Sequence, residues 1–364
     1  MLARLSALLK LVAAVALILV LIDAVVFRSG WYAPWMEMDS TAGATVSNVL
    51  AIRHYTDPSR RNVLVLGDSR VAEGLSAPTA DAALGNGDLH FVNAAIPGTS
   101  PRVWNYLLRK IDRAVNRYAA IVLMVDYGPT WGGSFADSPL DTSHLTPLLR
   151  LTDFFDYPAS FHDADERERA RRAILLPLQA IRLDVLDFVA QPTKRLDEIH
   201  DTRPIWIDVL NKYEGHKEAL PDLPIDAATG MPNDWGTDAA TLKPKLESYF
   251  SDLRTPVDPA TIEANIDYER EWVGRIAARY RAHGIPVIVF NIPRGPWHGS
   301  LVAPPQPNRA LLELARAGSI DLLPGDAFVQ FEKPQFFFDT LHMNHAGREA
   351  FSALLARKIA PLVH

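Results

Sequence analysis

Val63-Leu64-Val65-Leu66-Gly67-Asp68-Ser69 is the stretch whose reading decides the fold. Four apolar residues, two of them β-branched, have the pattern of a strand buried on both faces. Gly67-Asp68-Ser69 then marks a turn, which puts Ser69 at the carboxyl end of that strand, where open α/β sheets build their sites. Working outwards, residues 62–66, 89–92, 120–125 and 286–291, with a weaker stretch at 319–323, read as strands. Between them, 101–118, 261–283, 308–317 and 345–360 read as helices, and Gly284 in Ala282-His283-Gly284-Ile285-Pro286 stops one of these just before a strand. Alternation of this kind predicts an α/β protein: a three-layer α/β/α sandwich around a five-stranded, mostly parallel sheet.

Chemistry enters through a second stretch, Asp339-Thr340-Leu341-His342. A serine hydroxyl becomes a useful nucleophile when an imidazole takes its proton and a carboxylate orients that imidazole. Ser69, His342 and Asp339 supply these three groups. Because Asp339 and His342 are three apart, one turn can set the carboxylate on one ring nitrogen and leave the other free. Gly-Asp-Ser alone is a common turn tripeptide, so its weight comes from the strand before it and the Asp-x-x-His far downstream. Arg70-Val71 after the serine departs from the Gly-x-Ser-x-Gly elbow of α/β-hydrolases. A zinc reading of Asp339, His342 and His345 lacks a partner ligand cluster, and His345 reads more simply as the first turn of a closing helix capped by Asn344. No metal and no cofactor are expected.

These blocks resemble the SGNH, or GDSL, family of serine esterases and acyltransferases, with the nucleophile in a Gly-Asp-Ser block and the dyad in an Asp-x-x-His block. The resemblance implies a flavodoxin-like sheet, with Ser69 as nucleophile, His342 as base and Asp339 as its orienter. A third block, Asn93-Ala94-Ala95-Ile96-Pro97-Gly98, fits as well, and the resemblance makes Gly98 an oxyanion-hole donor beside the Ser69 amide. The family's Gly-x-Asn-Asp block is absent. After residues 121–125 this chain has Asp126-Tyr127-Gly128-Pro129, so Asn291, at the end of Val287-Ile288-Val289-Phe290, is the candidate substitute donor.

The chain has 364 residues, of which 48% are hydrophobic and 22% charged, enough to bury a full core. A net charge of −6 with an isoelectric point near 6.0 argues against a nucleic-acid surface. Residues 11–27 are apolar apart from Asp23, and Leu5, Leu8 and Leu9 lengthen the stretch if Lys10 snorkels. This predicts an uncleaved signal anchor; a cleaved signal peptide is the competing reading, against which the apolar region exceeds the usual ~7–15 residues and no clear small-x-small site follows closely. Arg4 and Lys10 before it put the N-terminus in the cytoplasm and the remainder outside. The absence of cysteine is compatible with a bacterial periplasm for a domain of this size.

Residues 1–28 are therefore expected to form the cytoplasmic tip and anchor, 29–61 a tether, 62–130 and 261–364 the two parts of the catalytic domain, and 131–260 an insertion that could serve as a lid. In the tether, Trp31, Tyr32 and Trp35 fit an aromatic belt at the outer headgroups. In the insertion, 163–172 reads as one solvated helix, and the apolar stretch 174–189 is expected to pack on the core. Trp206, Trp235 and Trp297 are candidates for stacking on sugars, or for core and rim. Gly85-Asn86-Gly87 is a turn, not a dinucleotide fingerprint.

The expected function is an extracytoplasmic serine esterase or O-acyltransferase anchored in the cytoplasmic membrane. Its substrate would be an acylated small molecule or a cell-envelope polysaccharide. A membrane acyltransferase or polysaccharide-export partner is implied by the resemblance alone. The alternative is a non-catalytic SGNH-like envelope protein that binds a glycan or an assembly partner.

Overall fold

The structure is a computed structural model that describes residues 2–364 apart from 86, 128–134, 227–228, 237–238 and 254. Asn86 of the Gly85–Gly87 turn, and Gly128 and Pro129 where the asparagine block is absent, thus lie outside the described residues, as does Trp131. The chain divides into two compact units: Met1–Leu50 with Ala136–Ile207, and Ala51–Phe135 with Asp208–His364. Stretch 131–260 is shared between them.

The first unit contains α1 (Leu2–Ile22), which continues into a π-helical segment, Asp23–Arg28. The division between the units falls within α2 (Thr41–Tyr55), which lies in the expected tether. Leu9–Arg28 is the one helical stretch among the described residues long and apolar enough to cross a membrane. Asp23, the charge that interrupts it, is buried; it pairs with Arg28 at 2.7 Å and accepts from the Leu178 N–H at 3.3 Å. The aromatic belt is incomplete: Trp31 is exposed, but Tyr32 is buried and its hydroxyl donates to Asp184. Run 163–172 does form a helix, Ala164–Leu175, capped by the Asp163 side chain. The apolar stretch that follows packs only in part. Ile174 and Ile181 are buried and Val185 and Phe188 half-buried, while Leu175, Leu176, Leu183, Leu186 and Val189 are exposed.

The second unit holds the sheet: β1 (Arg61–Leu66), β2 (Leu89–Asn93), β3 (Ala120–Met124), β4 (Val287–Phe290) and β5 (Asp321–Leu322). All pairings are parallel and the order is β2-β1-β3-β4-β5. The continuous apolar runs of β1, β3 and β4 follow from burial on both faces. Val63, Val65, Val122, Ile288 and Phe290 join Val71, Leu75, Phe351 and Leu355 in one core. The alternate residues Leu64, Leu66, Ile121, Leu123 and Val289 point the other way and are equally buried.

Parallel neighbours require crossover connections, and these supply the cover. The β1-to-β2 connection, α3 (Ser69–Gly74) and α4 (Ala77–Ala82), runs outward and packs with the closing helix His345–Ile359. The β2-to-β3 connection, α5 (Pro101–Ile111), runs back across β1 and packs with the helix Pro259–Arg281. Strand order thus reverses between β1 and β3, which opens a crevice at their carboxyl ends. Helix α5 ends seven residues before the predicted boundary at 118. The Asp112 carboxylate accepts from the Asn116 and Arg117 N–H groups and offers the backbone a turn instead.

Candidate active site

Gly67 lets the chain turn sharply out of β1. A Cβ there would lie 2.3 Å from Val71 Cγ2 and 3.3 Å from Met124 Cβ, so a side chain would force α3 off the sheet. Asp68 then caps α3, accepting from the Arg70 N–H at 2.9 Å, and leaves Ser69 as the first helical residue. The Ser69 amide precedes the first turn's hydrogen bonds and is available as a donor.

The other two groups come from a loop that wraps around its own carboxylate. Asp339 Oδ1 accepts from the N–H groups of Leu341, at 2.8 Å, and His342, at 2.6 Å. Its second oxygen, Oδ2, lies 2.9 Å from His342 Nδ1, and His342 Nε2 lies 2.9 Å from Ser69 Oγ. The Phe338 N–H donates to the His342 carbonyl at 3.2 Å and closes the loop. Gly295 allows the chain leaving β4 to pass this loop, since a Cβ there would stand 2.7 Å from the Thr340 carbonyl oxygen.

Burial opposes charge on both members of this pair, and their contact outweighs it. Burial favours neutral His342, but the hydrogen bond and charge of Asp339 raise its pKa above the ordinary imidazole value. Burial likewise works against the Asp339 carboxylate, whose pKa is nonetheless lowered by the His342 hydrogen bond and the two backbone donors. With Asp339 facing Nδ1, a neutral ring carries its proton there and its lone pair on Nε2, toward Ser69.

Gly98 lies at the end of the neighbouring strand. The Ile96 N–H donates to the Gly67 carbonyl at 3.0 Å, so the chain leaving β2 runs beside the turn that carries Ser69. Pro97-Gly98 is the centre of a turn closed by the Thr99 N–H on the Ile96 carbonyl at 3.3 Å, and Gly98 takes φ +72°, as a type II turn requires. Gly98 is an exposed residue, and its amide donates to no described residue. Asn291 is engaged elsewhere. Its Oδ1 accepts from the Tyr127 N–H at 2.9 Å and its Nδ2 donates to the Ile292 carbonyl at 2.7 Å, so the amide bridges the ends of β3 and β4. His345 also stands apart, with Nδ1 donating to the Glu214 carbonyl, and Asn344 caps the closing helix. Among the described residues, no three His, Cys, Asp or Glu side chains gather as metal ligands.

Three further groups are placed by the tertiary structure. At the end of β3, Asp126 grips Arg70 through two hydrogen bonds of 2.8 and 2.9 Å, and Asp68 holds the same guanidinium from the other side at 2.8 Å. Burial works against the Arg70 charge, but Asp126 and then Asp68 raise its pKa well above the ordinary value. A small cavity adjoins this pair and is lined also by Ser100, Trp104, Tyr268 and Glu269. Residues 213–220 strap the His342 loop: the His345 N–H donates to the His216 carbonyl at 2.6 Å, Asn344 Nδ2 to the Glu218 carbonyl at 3.1 Å, and the Leu220 N–H to the Phe337 carbonyl at 2.9 Å. The rings of His216, Phe338 and His342 lie in succession, His216 3.8 Å from Phe338 and Phe338 6.0 Å from His342. The acid following β3 and the arginine following Ser69 were the only sequence signals for any of this. Of the three tryptophans considered for sugar stacking, Trp297 is buried in an aromatic core with Phe250. Trp206 and Trp235 are half-buried.

No protein-family model matches this sequence, and no curated protein matches it significantly.

Proposed function

We propose that this chain is an SGNH-type serine esterase or O-acyltransferase, held by Leu9–Arg28 in the cytoplasmic membrane with its sheet unit in the periplasm. One observation carries the chemical part: Ser69 Oγ, His342 and Asp339 form a continuous hydrogen-bonded chain with both links at 2.9 Å. The strand order β2-β1-β3-β4-β5, with Ser69 at the point where it reverses, supports a flavodoxin-like SGNH sheet. Arg4 ahead of the span and Lys10 at its start support the orientation.

In this reading the Ser69 hydroxyl adds to an ester carbonyl while His342 Nε2 takes its proton. The carbonyl oxygen becomes an oxyanion, received by the amides of Ser69 and Gly98. Collapse of the intermediate breaks the bond to the leaving alkoxide, which takes the proton from His342 and departs as an alcohol. Ser69 then carries the acyl group, and water or a sugar hydroxyl releases it by the same steps in reverse order. An O-acetyl group of a cell-envelope polysaccharide suits an anchored site of this kind, with a multispanning acyltransferase as partner.

A second reading, a glycan-binding or assembly protein without catalysis, is favoured by Asp126. Where the family carries an asparagine donor, this chain has an acceptor occupied by Arg70. Labelling of the full-length protein with a fluorophosphonate separates the two. Adduct formation that is lost in Ser69→Ala supports the esterase; an unlabelled wild type alongside intact folding supports the binding protein. Acetyl release with and without polysaccharide acceptor then distinguishes hydrolysis from transfer.

A further inference from the structure

The helix Arg182–Ala190 carries apolar side chains on the face that its own tertiary contacts leave uncovered. One acid points inward: Asp184 accepts from the Tyr32 hydroxyl at 2.5 Å, the Glu37 N–H at 2.8 Å and Arg195 Nη1 at 3.1 Å, while Asp187, its side chain half exposed, pairs with Arg195 Nη2 at the edge. Three of its aliphatic residues point outward: Leu183, Leu186 and Val189 are 72%, 63% and 69% exposed and, being three apart, share one stripe. A buried, neutralised Asp184 on one side and a stripe of three exposed aliphatic side chains on the other suit a helix whose outer surroundings are not water.

The same segment is fastened to the outer end of the span. Arg28 Nη2 donates to the Leu175 carbonyl at 2.5 Å, the Leu178 N–H donates to Asp23, and Val185 and Phe188 pack in the cluster that contains Phe27 and Tyr32. At about 1.5 Å per residue, Leu9–Arg28 spans the hydrocarbon thickness of about 30 Å, and residues 23–28 occupy its outermost ~9 Å. A helix that lies in the plane of a membrane buries its apolar face about 5–10 Å into the boundary between headgroups and acyl chains, which is the depth this attachment imposes.

We infer that Arg182–Ala190 is a second membrane contact, an interfacial helix that lays Leu183, Leu186 and Val189 in the outer leaflet beside the span. This rests on the anchor reading of Leu9–Arg28. The occupant of the stripe is lipid acyl chain, and the contact fixes the rotation of the first unit about the span, which a single helix leaves free.

The chain has no cysteine, so a single cysteine at position 183, 186 or 189 can carry an environment-sensitive NBD label in the full-length protein. The protein is placed in phosphatidylcholine nanodiscs with or without doxyl-phosphatidylcholine, and aqueous iodide is added as the opposing quencher. The expected result is blue-shifted emission, most of it lost to doxyl lipid and little to iodide, at all three sites. Quenching by iodide and not by lipid overturns the inference, because the stripe then faces water. Protection from both quenchers overturns it in favour of a protein partner or a second copy. A label at Val15→Cys tests the anchor separately: lipid quenching there with none at 183, 186 and 189 rejects the interfacial helix and leaves the anchor standing.

Discussion

Arg348 Nη1 donates to the carbonyl of Glu73 at 2.6 Å and so ties the helix that follows His342 to the helix that begins at Ser69. The same guanidinium, fully buried, reaches the Ala72 carbonyl at 3.2 Å and the Leu210 carbonyl at 3.1 Å, and stands 5.1 Å from the Tyr213 ring centroid. Tyr213 in turn donates to Glu73 at 3.1 Å. Two segments 273 residues apart, Ser69 and His342, are thus set relative to each other by a cation that touches neither. Burial lowers its pKa to about 10, which still leaves it charged at neutral pH.

Arg348→Met should therefore cost stability and turnover together. Three carbonyl acceptors lose a buried donor, a loss of about 3 kcal/mol read by denaturant unfolding. Arg348→Lys restores charge but not the planar fork, so part of the stability should return while kcat stays depressed and KM changes little.

Asp339→Asn should alter the pH profile as well as the rate. In the proposed mechanism the general base must be neutral, so wild-type turnover should rise with pH through the pKa of His342, which Asp339 raises above the ordinary imidazole value. Removing the carboxylate removes the cause of that rise and frees the ring to adopt the other tautomer. The acidic limb of kcat on a chromogenic acetyl ester should move to lower pH, and its plateau should fall by about 10⁴.

Glu269 should make folding pH-dependent. It is 5% exposed; burial raises its pKa from 4.5 to about 8, with the Asn308 hydrogen bond opposing and the charge of Asp126 adding to the rise. Between those two values the folded chain holds a proton that the unfolded chain has released, so this group's contribution weakens stability as pH climbs from 4.5 to about 8. Glu269→Gln should flatten that slope and be the more stable protein at the alkaline end, by a few kcal/mol, roughly 3–5. Unfolding midpoints measured at acid and alkaline pH for both proteins check it.

Asp126→Ala should destabilise strongly, because Arg70 would stay buried with Asp68 alone. Breaking a buried pair from one side costs about 3–5 kcal/mol. Asp126→Asn keeps one acceptor on the guanidinium and should lose less, and the difference in thermal unfolding between the two variants measures what the Asp126 charge contributes.

Much of the framework was legible in the sequence because its causes are local. Strands buried on both faces must be unbroken apolar runs, so β1, β3 and β4 announce themselves. The Asp339–His342 link sits inside four residues, and Gly67 and Asp68 act on their immediate neighbours. The early end of α5 was missed for the opposite reason: Asp112 competes through its side chain, which periodicity does not register. Asn291, the candidate substitute donor, holds the Tyr127 N–H with its oxygen and gives one Nδ2 hydrogen to the Ile292 carbonyl, contacts that depend on how the chain leaves two different strands.

By itself the sequence determined the candidate nucleophile and its dyad, the α/β alternation and the apolar N-terminal span, all of which depend on residue type over a few positions. Only the tertiary structure decided the strand order that brings Ser69 to His342, the Arg70–Asp126 pair, the role of Arg348 and the outward face of Arg182–Ala190. These depend on which groups meet after the chain has crossed the sheet. An apolar side chain or a charge is the same letter whether its neighbour turns out to be a core, a counter-ion or a membrane.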